Sequence, residues 1–172
     1  VSSAASDVYK RQLYDKLIHY KGDSLVPTSH SAYAIEETEE LLLRLTSRMS
    51  YVTNKNLVPT YSYCRLYLTN DYLKPHVDRP ACEYSLSLCI GGDPWDIWFQ
   101  LNSPTVVSLS PGDGVLYLGL ETTHWRNEFL GNECIQVFLH WVDCNGDYAS
   151  WKYDRRPCIG SKETDKVYWG KT

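Results

Sequence analysis

Hydrophobic and polar positions follow two different periods along this chain, and the change falls near residue 61. Before it, Ile35, Leu42, Leu45 and Met49 recur at helical spacing and predict a helix over 35–49 with one apolar face. Glu36, Glu37, Glu39 and Glu40 load its start, and Arg44 and Arg48 its end, as the helix dipole favours. The acidic run reads as a water-facing first turn. A mixed pattern over 7–20 predicts a shorter helix. Residues 21–33, rich in Gly, Asp, Ser and Pro, read as turn. After residue 61 the period drops to two. Short alternating runs predict strands over 61–68, 73–77, 84–90, 97–101, 106–109, 115–117, 124–126 and 135–141. Turn formers such as Thr69-Asn70-Asp71 and Gly91-Gly92-Asp93-Pro94 separate them. Many short strands at this pitch predict a sandwich or barrel. The expected organisation over 1–172 is a single domain: helical N-terminal support over 13–60, a β core over 61–143 and a C-terminal extension over 144–172. Residues 3–12 read SAASDVYKRQ, which resembles translated adapter read-through; residues 1–12 are set apart as non-native in character and given no functional weight.

Composition narrows the picture. At 172 residues the chain has the length of one domain. Seventeen basic against 21 acidic residues, a net charge of −4, argue against a nucleic-acid partner, which would need a basic face. No apolar run approaches a membrane span. The start lacks the pattern of a secretory signal, so the expected location is cytoplasmic. Cys64, Cys82, Cys89, Cys134, Cys144 and Cys158 then read as reduced, mostly buried thiols, and their spacing fits no zinc site. Fourteen Tyr and six Trp against three Phe favour aromatics with a polar edge. Trp95, Trp98, Phe99, Trp125 and Trp141 could build a substrate platform, although packing is the ordinary role for such residues.

The candidate chemistry lies in Lys74-Pro75-His76-Val77-Asp78-Arg79. His76 and Asp78 are two apart at a strand end, which puts an imidazole and a carboxylate on one face. Alone, the pair could be a surface His beside a solvated Asp. His124, four predicted strands later, follows the run Pro111-Gly112-Asp113-Gly114-Val115-Leu116-Tyr117. A rolled-up double sheet can bring its strand opposite that of His76. Two His and one carboxylate on one face form the set that holds Fe(II) and leaves positions open.

His76-x-Asp78, the Pro-Gly-Asp-Gly run and His124 resemble the Fe(II)/2-oxoglutarate-dependent oxygenase superfamily. The approach Arg65-Leu66-Tyr67 to Tyr72-Leu73-Lys74-Pro75-His76 is similar to its prolyl 4-hydroxylase-like branch. The stretches 78–85, 124–131 and 136–141 resemble small members encoded by marine phage and bacteria. The resemblance covers about 61–143, roughly half the chain. It implies a mainly β fold, a double-stranded β-helix (jelly roll) with flanking N-terminal helices. It further implies Fe(II) held by His76, Asp78 and His124 as metal ligands and catalytic residues. 2-Oxoglutarate would be the chelating cosubstrate and O2 the oxidant. The implied reaction hydroxylates a C–H bond of an amino acid, a short peptide (prolyl among them) or another small molecule, with release of succinate and CO2. Retention of Asp78 argues against halogenation, which vacates that place.

One departure stands out. Many relatives carry a cation about ten residues beyond the last His, on the final strand, to pair the distal carboxylate of 2-oxoglutarate. Here 127–150 holds no Arg or Lys. Arg126, two residues from His124, is the preferred replacement, followed by Tyr67 and Arg65, with Gln136 as a neutral donor. An ion pair of Arg126 with Glu128 or Glu133 is the structural alternative. Arg79 is expected to point away. His140 reads as a core histidine, and Ser85 and Ser87 share a face that is more often the solvated side of a sheet. The missing final-strand cation also supports a second reading, a non-catalytic cupin-like jelly roll that binds a metal or small ligand. A nucleic-acid demethylase is disfavoured by the charge.

Overall fold

The computed structural model describes residues 3–160; residues 1–2 and the 161–172 part of the predicted extension lie outside them. Two helices, α1 (Ser3–Leu17) and α2 (Glu36–Thr53), accompany nine strands. The strands are β1 (His30–Tyr33), β2 (Leu57–Leu68), β3 (Leu73–His76), β4 (Tyr84–Gly92), β5 (Ile97–Gln100), β6 (Pro104–Val107), β7 (Gly114–Leu118), β8 (His124–Arg126) and β9 (Glu133–Asp143). They form a five-stranded sheet, β1-β2-β9-β4-β7, and a four-stranded sheet, β3-β8-β5-β6, with antiparallel pairing throughout. This is the double-stranded β-helix with N-terminal helices that the sequence pointed to.

Alternation along the large sheet decides which side chains meet the helices. Cys64 and Leu66 of β2, Leu86 of β4, and Ile135, Val137, Leu139 and Trp141 of β9 pack with Leu13 and Leu17 of α1 and Leu42 and Met49 of α2. Trp141 also donates its indole N–H to Thr46 Oγ1 at 2.9 Å. The intervening residues point into the space between the sheets. Among the described residues, no helix is long and apolar enough to cross a membrane.

Four expectations change. Helix α2 runs on to Thr53 and stops at Asn54, a left-handed cap (φ 53°). Arg44 is therefore a mid-helix partner of Glu40 rather than a C-terminal charge. The acidic run does not all face water. Glu39 shares the face of Leu42, is 2% exposed, and accepts two bonds from Arg156 at 2.9 Å each. Residues 30–33, read as turn, form the edge strand β1, pairing His30–Tyr33 with Leu66–Tyr63; four residues are too few for alternation to show. Strand β2 begins at Leu57, tolerating Pro59 at a register irregularity.

Candidate metal centre

His76 ends β3 and His124 opens β8, and the two face each other across the strand pair. Their rings lie 4.3 Å apart. Asp78 follows two residues later, its N–H bonded to the Gly119 carbonyl at 2.8 Å. Asp78 Oδ1 is 3.6 Å from His76 Nε2 and 3.7 Å from His124 Nε2. One ligand atom from each residue lies within 4.8 Å of the others. Both imidazoles donate Nδ1–H to backbone carbonyls, His76 to Lys74 (2.9 Å) and His124 to Thr122 (3.0 Å). These bonds fix the tautomer that turns the Nε2 lone pairs toward Asp78, the arrangement a metal requires. Burial pushes the Asp78 carboxyl up, against the pull of His124, and lowers His124.

The three groups line a cavity of about 320 Å³ between the sheets. Arg126 lies in its wall, 1% exposed. It donates to the Trp95 carbonyl (2.7 Å), Gln136 Oε1 (3.2 Å) and Ser87 Oγ (3.4 Å), and its Nε has no partner. None of these partners is charged. The alternative pairing with Glu128 or Glu133 is not formed among the described residues; Glu133 meets Lys10 instead. Arg65 differs: it is ion-paired with Asp23 and donates to the Tyr67 hydroxyl at 3.2 Å. Burial would raise Asp23, yet Arg65, Tyr63 and two backbone N–H groups hold it below the usual carboxylate range. Tyr67 is fully buried, edge-on to Trp95. Gln136 spans Arg126 and Cys134. Arg79 turns to Asp154 in a bidentate bond (2.6 and 2.7 Å) and covers the Tyr61 ring.

Other residues fall differently from expectation. Ser85 and Ser87 are fully buried on the cavity side, because the polar face of this sheet is internal. His140, by contrast, keeps to expectation as a core histidine, buried and hydrogen-bonded to Ser85. Tyr117, which appeared only inside the Pro-Gly-Asp-Gly run, brings its hydroxyl 3.4 Å from His124 Nε2. The aromatic set splits four ways, with Phe99 packed against Tyr117 and His124 beside the candidate metal ligands. Trp95 lies among Tyr67 and Phe129, Trp98 stacks on Trp125 across the small sheet, and Trp141 packs against the helices.

No protein-family model matches the chain, and no curated protein sequence does. Solved structures match over most of its length. A prolyl 4-hydroxylase from Pseudomonas putida superposes with a TM-score of 0.65 at 11% identity, over 83% of this chain and 88% of its own. The viral collagen prolyl hydroxylase of Paramecium bursaria Chlorella virus 1 gives 0.61 at 15%, over 82% and 91%. HygX from Streptomyces hygroscopicus, solved with nickel and 2-oxoglutarate bound, gives 0.66 at 12%, over 84% and 80%. The chain therefore shares the fold on which these proteins are built.

Proposed function

We propose that the protein is an Fe(II)- and 2-oxoglutarate-dependent dioxygenase, hydroxylating a C–H bond of an amino acid, a short or prolyl peptide, or another small molecule. The observation that carries this is the convergence of His76 Nε2, Asp78 Oδ1 and His124 Nε2 on one wall of a cavity that also holds a buried cation with no counter-charge. The donor set fits Fe(II): two neutral imidazoles with fixed tautomers and one carboxylate, leaving further positions open. Bound there, iron would supply the oxidising chemistry with O2 and 2-oxoglutarate, yielding succinate and CO2.

The chain's own residues do the rest. A lone buried guanidinium is costly unless an anion joins it. Arg126 is thus the favoured holder of the distal carboxylate. Its contact with Gln136 puts the charge against the final strand, where the relatives carry their cation, although it arrives from β8. Arg65 is already matched by Asp23 and serves as a wall. Tyr67 accepts from Arg65 and keeps its own hydroxyl proton for the cosubstrate. Arg126 meets the need whose apparent absence supported the cupin-like reading, so the enzymatic reading is preferred. The cavity measures about 320 Å³, and the 23–25 segment, pinned by Asp23 on Arg65 and Tyr63, forms part of its wall. That shape favours a small molecule or a short peptide over a long polymer. The six free cysteines suit a reducing, cytoplasmic location.

The test is anaerobic addition of Fe(II) and 2-oxoglutarate. The expected result is a weak visible charge-transfer band, followed by succinate release in air, both lost in His124→Ala. No band and no succinate from the unaltered protein would overturn the enzymatic reading in favour of a binding module.

A further inference from the structure

We infer that Ser85, braced by His140 and given room by Gly119, is a positioning residue that holds Asp78 to one-oxygen ligation; this rests on the reading of Asp78 as a metal ligand. The two carboxylate oxygens of Asp78 have different surroundings. Oδ1 faces both Nε2 atoms, at 3.6 and 3.7 Å. Oδ2 faces away and lies 3.0 Å from Ser85 Oγ. The Ser85 hydroxyl has three neighbours: Asp78 Oδ2, His140 Nδ1 at 2.9 Å and the Cys82 carbonyl at 3.2 Å. It owns one proton. A carboxylate is the stronger acceptor, so the proton goes to Oδ2 and the hydroxyl oxygen accepts from His140 Nδ1–H.

The chain builds this contact from three elements. Ser85 on β4 stands directly opposite His140 on β9. The Tyr61 ring covers His140 at 4.6 Å. Ser85 is 0% and His140 4% exposed, so water does not compete for these bonds. Gly119 closes the group. A Cβ there would lie 2.5 Å from Asp78 Oδ2, 2.6 Å from Ser85 Oγ and 2.3 Å from the Cys82 carbonyl oxygen. Any side chain at 119 would push the carboxylate and the hydroxyl apart. The Gly119 carbonyl also holds the Asp78 N–H.

The consequence concerns coordination space. Three protein ligands leave open positions on an octahedral metal. A carboxylate binding through both oxygens would take one of those positions. With Oδ2 occupied by Ser85, the face stays free for a chelating keto acid and a further ligand.

The test uses Co(II) as a probe on the full chain without turnover. Infrared difference spectra on metal binding report the spacing between the antisymmetric and symmetric carboxylate stretches, which is wide for one-oxygen and narrow for two-oxygen ligation. The unaltered protein should show the wide spacing. In Ser85→Ala the spacing should narrow, and the affinity of the Co(II) protein for 2-oxoglutarate should fall by about tenfold or more, the usual scale for groups behind metal ligands. His140→Leu, which removes the donor behind Ser85 and leaves Ser85 itself in place, should move both readouts the same way by less, and it decides the matter if Ser85→Ala does not fold. An unchanged spacing or an unchanged 2-oxoglutarate affinity overturns the inference. If the unaltered protein binds no Co(II), the metal-site reading itself fails, which is a distinct outcome.

Discussion

The two faces of the five-stranded sheet are both buried, yet they are opposite in chemistry. On the helix side stand Cys64, Leu66, Leu86, Val137, Leu139 and Trp141. One residue along on the same strands, the cavity side carries Tyr63, Arg65, Tyr67, Ser85, Ser87, Gln136 and His140. Burying a large apolar side chain stabilises by about 1.5–3 kcal/mol. A buried polar group costs unless it is hydrogen-bonded, and most groups on the cavity face are. The helix side therefore stabilises the fold and the cavity side spends part of that stability on a poised site. A one-residue register slip would exchange the two.

That division can be broken at either face. The largest effect is expected at the proposed metal ligands: Asp78→Ala should abolish succinate release while the protein stays folded by circular dichroism. Next comes Trp141→Ala on the helix face. It should cost about 3–5 kcal/mol in urea unfolding, with 2-oxoglutarate turnover unchanged in the folded fraction. Arg126→Met sharpens the contrast. Losing charged hydrogen bonds worth about 1.5–3 kcal/mol should raise the 2-oxoglutarate KM by about 10- to 100-fold. Stability should hold or rise, because a lone buried charge is gone. If Arg65→Met gives the KM effect instead, the anchor is Arg65.

The smallest effect concerns pH. Burial, reinforced by the Arg79 charge, holds His140 down to about 3, against about 6.5 in an unfolded chain. The unfolded state then binds the extra proton first, so stability rises with pH across this interval. The His140 contribution is fully present above about pH 6.5 and drains as pH falls toward 3. In the metal-free protein, His140→Leu should flatten the loss of stability between pH 6.5 and the carboxylate range, measured by urea unfolding at each pH.

The β core was legible in the sequence because alternation survives wherever one face meets the helices. The candidate cluster was legible because His76 and Asp78 lie two apart at a strand end, a relation local enough to read directly, and the structure brings His124 to them. The cation was harder. Spacing narrowed it to a few residues, and only the environment separated Arg126, with neutral neighbours, from Arg65, already paired. Ser85 and Ser87 misled because alternation reports that a face is polar, not whether it is wet. Glu39 misled for a related reason: its counter-charge, Arg156, lies 117 residues away in the C-terminal extension, and no local pattern announces such a partner.

That distant pairing makes the C-terminal extension a fastening rather than a trailing end. Arg156 reaches Glu39 and the Thr60 carbonyl, and the Gly160 N–H adds a bond to the same carboxylate. Cleaving the chain upstream of residue 156 would strand a naked anion beneath α2, at a cost of about 3–5 kcal/mol. The segment around Arg156 and α2 should thus melt as one unit, and a trimmed version would forfeit far more than its few missing residues suggest.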